Sequence, residues 1–293
     1  MKVTIGIPFY NCENFLETAI ICVLSQNYQD WELILVDDGS KDNSLKIAQK
    51  YAEKDKRIRV ISDGKNKRLP YRLNQIILES NGDYIVRMDA DDLMAIDRIE
   101  KQIRFLDQNT RFDLVSTGIL SIKNDLSLVG YRGSKVDKEI SLSDAILGTT
   151  GIIHASIVAR KEWFLRNLYN EKNQLAEDYE LWLRAYLKND LRVGFIEDPL
   201  YFYREDQNIK LDKLIRAYNT QISIIESIDS SILDSNLKKR FVKKFKLKKV
   251  LVKIIFSLKI DFVLHKRRVS TERNEFHKKI LKENLTFFNN SVL

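Results

Sequence analysis

Three aspartates, Asp89, Asp91 and Asp92, stand within four positions directly after the apolar run YIVRM (84–88). Strand interiors are poor in aspartate and unpaired buried carboxylates are costly, so the cluster predicts a positive ligand. In an extended segment residues i and i+2 point to the same side, so Asp89 and Asp91 would face one ligand. Carboxylate oxygens suit Mn²⁺ or Mg²⁺, with positions left open for phosphate oxygens. The alternative is an acidic turn that caps the next helix, a role open to Asp92.

Two further polar clusters follow apolar runs earlier in the chain. PFYN (8–11) comes after VTIGI (3–7), and DDGS (37–40) comes after ELILV (32–36). Helical patterns follow these runs, and repeated alternation of strand and helix implies a parallel α/β sheet. Ligands of such sheets bind at the carboxyl ends of the strands. The three clusters are therefore expected to meet at one edge of the sheet.

The remaining pattern extends the α/β prediction to about residue 205. Strands are predicted at 3–7, 32–36, 57–62, 83–88, 113–122, 152–160, 191–197 and 199–205. Helices are predicted at 13–26, from 40–42 onward, at 69–80, at 95–108, from 161 onward, at 178–187, and from 211 to the end. We therefore expect a mostly parallel central sheet flanked by helices, followed by a helical C-terminal extension.

The composition is that of a globular protein large enough to bury a core, with 293 residues, 44% of them hydrophobic and 31% charged. Cys12 and Cys22 are both assigned to the first predicted helix, which favours free thiols and a reducing compartment. There is no signal-peptide pattern, and no apolar run approaches the roughly 18 residues of a membrane-spanning helix. We expect a cytoplasmic protein.

The net charge of +8 is concentrated in one segment. Residues 236–268 contain 13 Lys and Arg against one acid, Asp261, so the rest of the chain is slightly acidic. A nucleic-acid partner is therefore not expected. Within the basic segment, one helical stripe is approached by five residues, Val242, Phe245, Lys249, Val252 and Phe256. A basic amphipathic helix on an anionic membrane surface and a helix packed on the body with a solvated basic face both remain open.

The order and spacing of these motifs resemble family 2 glycosyltransferases of the GT-A fold. The segments that carry the resemblance are VTIGIPFYN (3–11), WELILVDDGSKDNS (31–44), LPYRLNQII (69–77), GDYIVRMDADDL (82–93), IIHASIVAR (152–160) and AEDYELWLR (176–184). Ala155 stands where the family commonly has proline. The resemblance covers about residues 1–205. It implies a nucleotide-sugar-binding and catalytic domain at 1–210, which leaves 211–293 as a helical, basic C-terminal extension.

The resemblance also implies an activity, the inverting transfer of a sugar from a nucleotide diphosphate sugar to an acceptor hydroxyl. A UDP-sugar is the expected donor, because a carboxylate at Asp38 can accept the imide N–H of uracil. A saccharide or a lipid-linked oligosaccharide is the expected acceptor, in the synthesis of a surface polysaccharide. By the same resemblance, the protein would work in the cytoplasm, with peripheral attachment to the inner face of the membrane as an open addition.

Individual roles follow from the positions that match the family motifs. The expected metal ligands are Asp91 and Asp89, and the expected base is Asp178 with Glu177 beside it. The expected nucleotide-binding residues are Pro8, Tyr10, Asp38, Arg72 and Asp89. The expected phosphate or acceptor contacts are His154 and Arg204. Three alternatives stay open. Arg72 could be an exposed helix residue, His154 a satisfied structural histidine, and Asp178 a helix N-cap. Trp182 is expected to pack.

Other classes of protein fit the sequence less well. A nucleotidyltransferase would carry a glycine-rich basic phosphate loop after its first strand, and a dinucleotide-dependent dehydrogenase would carry G-x-G-x-x-G there. IPFYNCENF has neither. A non-catalytic module that binds a nucleotide sugar is the remaining alternative. The acids at positions 38, 89, 91 and 178 favour an enzyme over that module.

Overall fold

The computed structural model describes residues 2–133, 139–173, 175–205, 210–260 and 275–290. Within these residues, nine strands form one sheet in the order β3-β2-β1-β4-β8-β6-β9-β5, with β7 paired to β6. The strands are β1 (Val3–Phe9), β2 (Trp31–Asp37), β3 (Ile58–Ser62), β4 (Tyr84–Arg87), β5 (Leu93–Met94), β6 (Leu114–Ile122), β7 (Leu128–Arg132), β8 (Val158–Arg160) and β9 (Val193–Arg204).

Helices cover both faces of this sheet and continue beyond it. They are α1 (Leu16–Leu24), α2 (Ser44–Lys54), α3 (Leu69–Glu79), α4 (Arg98–Gln108), α5 (Leu142–Leu147), α6 (Lys161–Arg166), α7 (Glu177–Leu187), α8 (Leu211–Ser227), α9 (Ser235–Ser257) and α10 (Glu275–Asn290). The prediction of an α/β fold is confirmed.

The first four strands of the sheet, β3, β2, β1 and β4, are parallel. Every residue of β1 and β2 is buried, as expected for strands covered on both faces, and this accounts for their uninterrupted apolar runs. Beyond β4 the sheet is mixed, because β8 pairs antiparallel with both β4 and β6 while β9 runs parallel to β6. The predicted mostly parallel sheet therefore describes the N-terminal half of the fold.

The loop after β1 differs from the prediction. Helix α1 begins at Leu16, so Cys12 lies in the preceding turn, whereas Cys22 is buried inside the helix. Asn11 adopts a φ of 51°, which ends the strand sharply. The Cys12 N–H donates to the Ser44 hydroxyl at 2.7 Å. The Leu16 N–H donates to the Cys12 carbonyl at 2.9 Å, which closes the turn from which the helix starts four residues later. Both cysteines are free thiols, as expected.

The segment 152–160, predicted as one strand, is a 3₁₀ turn at His154–Ser156 followed by the short strand β8. The turn forms because the Ser156 hydroxyl bonds within it, donating to the Ile153 carbonyl at 3.0 Å. That hydroxyl also accepts the Thr117 N–H of β6 at 3.1 Å. The two strands predicted at 191–197 and 199–205 form a single strand, β9, whose register against β6 shifts around Gly118.

The C-terminal helices attach to the body at two places. Helices α8 and α9 pack together and against α5 and α7, through a cluster that includes Ile225, Phe245 and Tyr179. Helix α10 instead contributes Leu281 and Phe288 to the main core under the sheet. Among the described residues, none of the helices combines the length and apolar composition that a membrane crossing requires. The boundary at residue 210 stays a prediction, and α10 packs on the domain that precedes it.

Candidate active site

The carboxyl ends of β1, β2 and β4 lie side by side, because β1 pairs in parallel with both neighbours. The three polar clusters therefore meet at one edge of the sheet, as the strand pattern predicts. The loops after β1 and β2 are fastened to each other, since the Asn11 N–H donates to the Ser40 hydroxyl at 3.1 Å. Pro8 is buried in β1, whereas Tyr10 beside it is 47% exposed. The edge thus presents an aromatic ring to solvent from a rigid loop pair.

The two aspartates that end β2 have different partners. Asp37 is buried and serves the loop itself, because its carboxylate accepts the Ser40 N–H at 2.9 Å and the Ser62 hydroxyl at 2.8 Å. Asp38 accepts three donors on Oδ1, namely the N–H groups of Lys67 and Arg68 and the Nε–H of Arg72. Its Oδ2 accepts only the Arg68 N–H among the donors that the structure describes, at 3.1 Å. Asp38 is therefore fixed in place with accepting capacity left on Oδ2.

Arg72 stabilises the position of the Asp38 carboxylate. Its side chain is fully buried, so the alternative of an exposed helix position is wrong. The guanidinium donates to Asp38 at 2.9 Å, to Asp63 at 2.6 Å and to the Lys65 carbonyl at 2.5 Å. These bonds stabilise the loop before α3, where Arg68 adopts a φ of 74°. The structure thus places Arg72 beside Asp38, as a partner of that carboxylate.

Asp92 belongs to the scaffold of the site. One carboxylate oxygen accepts the Tyr201 hydroxyl and the other accepts the Arg204 N–H, both at 2.8 Å. Burial, and then the charges of Asp89 and Asp91, raise the pKa of Asp92 well above its usual value. Helix α4 begins at Arg98 and has Asp97 at its N-cap, so the capping alternative for Asp92 is wrong.

Asp89 is paired with Arg87, a residue that the sequence analysis did not single out. The two side chains form a bidentate ion pair with both N–O distances at 2.7 Å. The Asp89 backbone N–H donates to the Tyr201 hydroxyl at 3.1 Å, which ties the cluster to β9. Asp89 is partly exposed, so its oxygens border the open edge of the sheet.

Asp91 is the most exposed of the three aspartates. It is exposed, and its carboxylate accepts no hydrogen bond from another residue in the described part of the chain. One carboxylate oxygen from each of Asp89, Asp91 and Asp92 lies within 4.8 Å of the others. Oxygen donors so arranged fit Mn²⁺ or Mg²⁺. Asp91 is the best placed of the three to bind a cation. Asp89 could bind it while one of its oxygens stays paired with Arg87, and Asp92 is poorly suited because both of its oxygens already accept hydrogen bonds.

Arg204 supports the same loop. It is buried, its Nε–H donates to the Asp91 carbonyl at 2.5 Å, and a terminal nitrogen donates to the Asn124 carbonyl at 3.1 Å. The guanidinium also lies 4.8 Å from the centre of the Phe15 ring. The structure therefore places Arg204 against the backbone of the aspartate loop, and its contact with a phosphate or an acceptor stays a prediction.

A second acidic pair stands at the start of α7. The helix begins at Glu177, and its N-cap is Ala176, so the N-cap alternative for Asp178 is wrong. Within the described ranges, the Asp178 carboxylate accepts only the adjacent Tyr179 N–H, at 2.7 Å. Burial raises the pKa of Asp178, and burial together with the Asp178 charge raises the pKa of Glu177 to about 7. Glu177 Oε2 is buried with no hydrogen-bond partner in the described part of the chain.

His154 lies in an aromatic cluster beside this pair. Its Nε2 is 2.7 Å from the Tyr169 hydroxyl, and its ring meets the Trp182 ring edge-on with centroids 6.0 Å apart. Burial and the nearby Arg87 charge hold the pKa of His154 well below its usual value, so the imidazole is neutral. This environment matches a satisfied structural histidine. Trp182 packs in the core cluster, as predicted.

Arg87 connects the two acidic groups. It is buried, and although burial opposes its charge, Asp89 and its other neighbours raise the pKa of Arg87. Burial raises the pKa values of Asp91, Glu177 and Asp178, and the Arg87 charge opposes each of these rises, so it acts on both sides of the site. The sequence carried one signal, an arginine inside an apolar strand two residues before an aspartate. The arrangement can bind a cation at one side and accept a proton at the other.

Comparison with known proteins agrees with this geometry. The family model described as "Glycosyl transferase family 2" matches residues 4–166. EpsE of Bacillus subtilis (strain 168), which is named as a glycosyltransferase, is 35% identical over 237 residues, covering 79% of this chain and 80% of EpsE.

Two solved structures share the fold. TarS 1-349 of S. aureus, in complex with UDP-GlcNAc, has a TM-score of 0.63 at 18% identity and covers 100% of this chain and 82% of that one. The mannosyltransferase PcManGT of Pyrobaculum calidifontis, in complex with GDP-Man and Mn²⁺, has a TM-score of 0.57 at 15% identity and covers 99% of this chain and 85% of that one. From the family match and these likenesses together, we conclude that the chain is a glycosyltransferase with the GT-A fold and belongs to glycosyl transferase family 2.

Proposed function

We propose that the enzyme transfers a sugar with inversion from a UDP-sugar to a hydroxyl of a saccharide or lipid-linked acceptor. The observation that carries this proposal is the placement of two acidic groups on either side of Arg87. The aspartates after β4 are open to a cation through Asp91, and the pair at the start of α7 contains carboxyl groups with raised pKa values. Inverting transfer needs both functions, on opposite sides of the reacting carbon.

The nucleotide binds at the ends of β1 and β2 in this proposal. Tyr10 offers an exposed ring for the base, and Pro8 shapes the strand end beneath it. Asp38 is held by Arg72 and two backbone N–H groups, so its Oδ2 is oriented to accept one further donor. The imide N–H of uracil is such a donor, whereas cytosine has none at that position. The complex of TarS with UDP-GlcNAc supports this choice of donor.

Asp91 and Asp89 would hold the divalent cation, Mn²⁺ or Mg²⁺. When bound, such an ion supplies Lewis-acid stabilisation to the charge that develops on the leaving diphosphate. Arg87 orients Asp89 through the bidentate pair, and Arg204 fixes the backbone of Asp91. The complex of PcManGT with GDP-Man and Mn²⁺ supports the choice of a divalent cation.

Asp178 acts as the base in this proposal. The acceptor oxygen attacks the anomeric carbon, the bond from that carbon to the diphosphate breaks, and the hydroxyl proton passes to the Asp178 carboxylate. Glu177 beside it takes up a proton near pH 7, so it buffers the charge of the pair. His154 packs behind this pair and is proposed to position the acceptor side of the site.

The acceptor and the cellular setting complete the proposal. The enzyme would extend a saccharide, capsule or lipid-linked oligosaccharide at the cytoplasmic face of the membrane. The donor assay described next identifies the sugar.

The experiment is release of nucleoside diphosphate from a panel of nucleotide sugars, with and without Mn²⁺. Asp91→Ala is compared with Asp83→Ala, which removes an exposed carboxylate at the other end of β4. We expect metal-dependent release from one UDP-sugar, lost in Asp91→Ala and retained in Asp83→Ala. Calorimetric titration with UDP and Mn²⁺ accompanies the assay. Binding of UDP without release from any donor, in the presence of saccharide acceptors, would indicate a binding module instead.

A further inference from the structure

Helix α9 carries a second apolar face that the described residues leave uncovered. Five large apolar side chains, each between 48% and 61% exposed, form what we call the outer stripe: Leu247, Val250, Leu251, Ile254 and Leu258. Their spacing of three and four residues places them within an arc of roughly 100° on the helix. Scattered exposed apolar residues are ordinary, but a continuous stripe on one helix marks a contact surface.

The outer stripe lies opposite the face that holds α9 on the body. Phe241, Val242 and Phe245 are buried in one cluster with residues of α7 and α8, and Val252 is buried on the same face of the helix. Because one face is already used for packing, the apolar residues of the outer stripe contribute nothing to that contact. The sequence alone gave no single clean stripe for this helix, because its apolar residues divide between two opposite faces.

Lysines border the outer stripe on both sides. Lys244 and Lys248 fall along one edge, and Lys246 and Lys253 fall along the other, as the helical period requires. The outward face of the first half of the helix adds Arg240 and further lysines. An apolar strip between two basic rows is the arrangement of a helix that lies in the plane of a membrane, with cationic side chains reaching the lipid phosphates.

A second copy of the chain is a poorer occupant. Helix α9 contains no Asp or Glu, so two copies of the outer stripe would bring lysine rows together without an acidic partner on either helix. Like charges at such spacing repel. Anionic lipid supplies the missing counter-charge along both edges at once.

We propose that the outer stripe of α9 and its bordering lysines dock the enzyme on an anionic lipid surface. The docked helix is one packed layer away from the acidic pair, because the Phe245 ring meets the Tyr179 ring edge-on at 6.4 Å, and Tyr179 follows Asp178. The surface would therefore bring a lipid-linked acceptor to the side of the site that holds the base. This last step rests on the proposed function, whereas lipid binding itself does not.

The test is sedimentation of the full chain with vesicles of phosphatidylcholine alone or with 30% phosphatidylglycerol, a mole fraction chosen as roughly that of an anionic leaflet. The stripe variant is Leu251→Asn with Ile254→Asn. The matched control is Leu78→Asn with Leu165→Asn, two exposed leucines on α3 and α6. A charge variant, Lys246→Gln with Lys253→Gln, tests the bordering rows. Donor hydrolysis is measured for every variant.

We expect binding to the anionic vesicles that weakens with salt, and little binding to the neutral ones. The stripe variant loses that binding while the control keeps it, and each lysine replaced weakens it roughly fivefold. Donor hydrolysis stays unchanged in the stripe variant, so a failure here is distinct from a failure of the proposed function. Equal binding to both vesicle types, no binding, or a stripe variant that binds like wild type would each overturn the proposal. So would a stripe variant that only converts a dimer to a monomer in light scattering.

Discussion

The identity of the catalytic base can be decided by pH, because the two carboxyl groups at the start of α7 are expected to titrate apart. The Glu177 carboxyl has a pKa of about 7, raised by burial and then by the Asp178 charge. The Asp178 pKa is raised as well, by burial, but Glu177 takes the first proton as pH falls through 7. A base must be deprotonated to work, so activity is present above its pKa and is lost below it.

The size of the effect follows from the Glu177 value. If Glu177 were the base, a pKa near 7 would leave about one molecule in eleven active at pH 6, and about one in a hundred at pH 5. With Asp178 as the base, the acid limb of kcat/KM for donor hydrolysis should lie at lower pH than this, because Asp178 is still charged where it raises the pKa of Glu177. The protonation of Glu177 changes the charge beside the base without removing the base itself.

Two carboxyl-to-amide variants of equal size give the matched comparison. Asp178→Asn should lower nucleoside diphosphate release by about a hundredfold or more, the usual contribution of a general base, while UDP still binds in calorimetry. Glu177→Gln should retain most of the release and flatten the profile near pH 7. An acid limb with a midpoint near 7 in the wild type together with an inactive Glu177→Gln, or an active Asp178→Asn, would refute this assignment and make Glu177 the base.

Three further outcomes are expected from the surrounding network. Asp91→Asn should abolish Mn²⁺-dependent UDP binding in calorimetry, and Asp83→Asn should not. Equal loss in both variants would show that Asp91 does not hold the cation. Arg72→Met should lower the free energy of unfolding in urea by about 3 kcal/mol, because it leaves the buried Asp38 carboxylate without its cationic partner. Arg104→Met, in an exposed pair, should cost about 0.5 kcal/mol, and similar losses in the two variants would contradict the role of the buried pair. Arg87→Met should move the acid limb of the activity profile to higher pH, since its charge lowers the pKa values of the α7 pair, and Arg87→Lys should leave the limb in place.

The fold was largely predictable because its parallel half is built from local patterns. Strands β1 and β2 are buried at every position, and each ends at a polar cluster, so period, length and boundary all appear in the sequence. The antiparallel insertion of β8 between β4 and β6 was not predictable in this way. The position of β8 in the sheet depends on long-range side-chain hydrogen bonds. One example is the bond that the Thr117 N–H donates to the Ser156 hydroxyl, 39 residues away.

The same distinction applies to the site. Acidic residues at strand ends can be recognised from spacing, but their partners come from distant segments. Asp92 is bonded by Tyr201 and by the Arg204 N–H, 109 and 112 residues away. Asp38 is bonded by Arg72, 34 residues away. No local pattern states which of several basic residues will pair with which acid, so the roles of these arginines could not be assigned from sequence.

The three aspartates after β4 show what the structure adds to a motif. By spacing alone, Asp89 and Asp91 are equivalent ligands. In the structure, Asp89 forms an ion pair with Arg87, and both carboxylate oxygens of Asp92 accept hydrogen bonds from β9. Asp91 is therefore the carboxylate with the fewest bonds to other described residues. A buried carboxylate that accepts hydrogen bonds from the protein fixes the loop. An exposed carboxylate without such bonds can exchange bound water for a ligand. The acids nearest the sheet therefore give the site its rigidity, and the one farthest out gives it its capacity to bind.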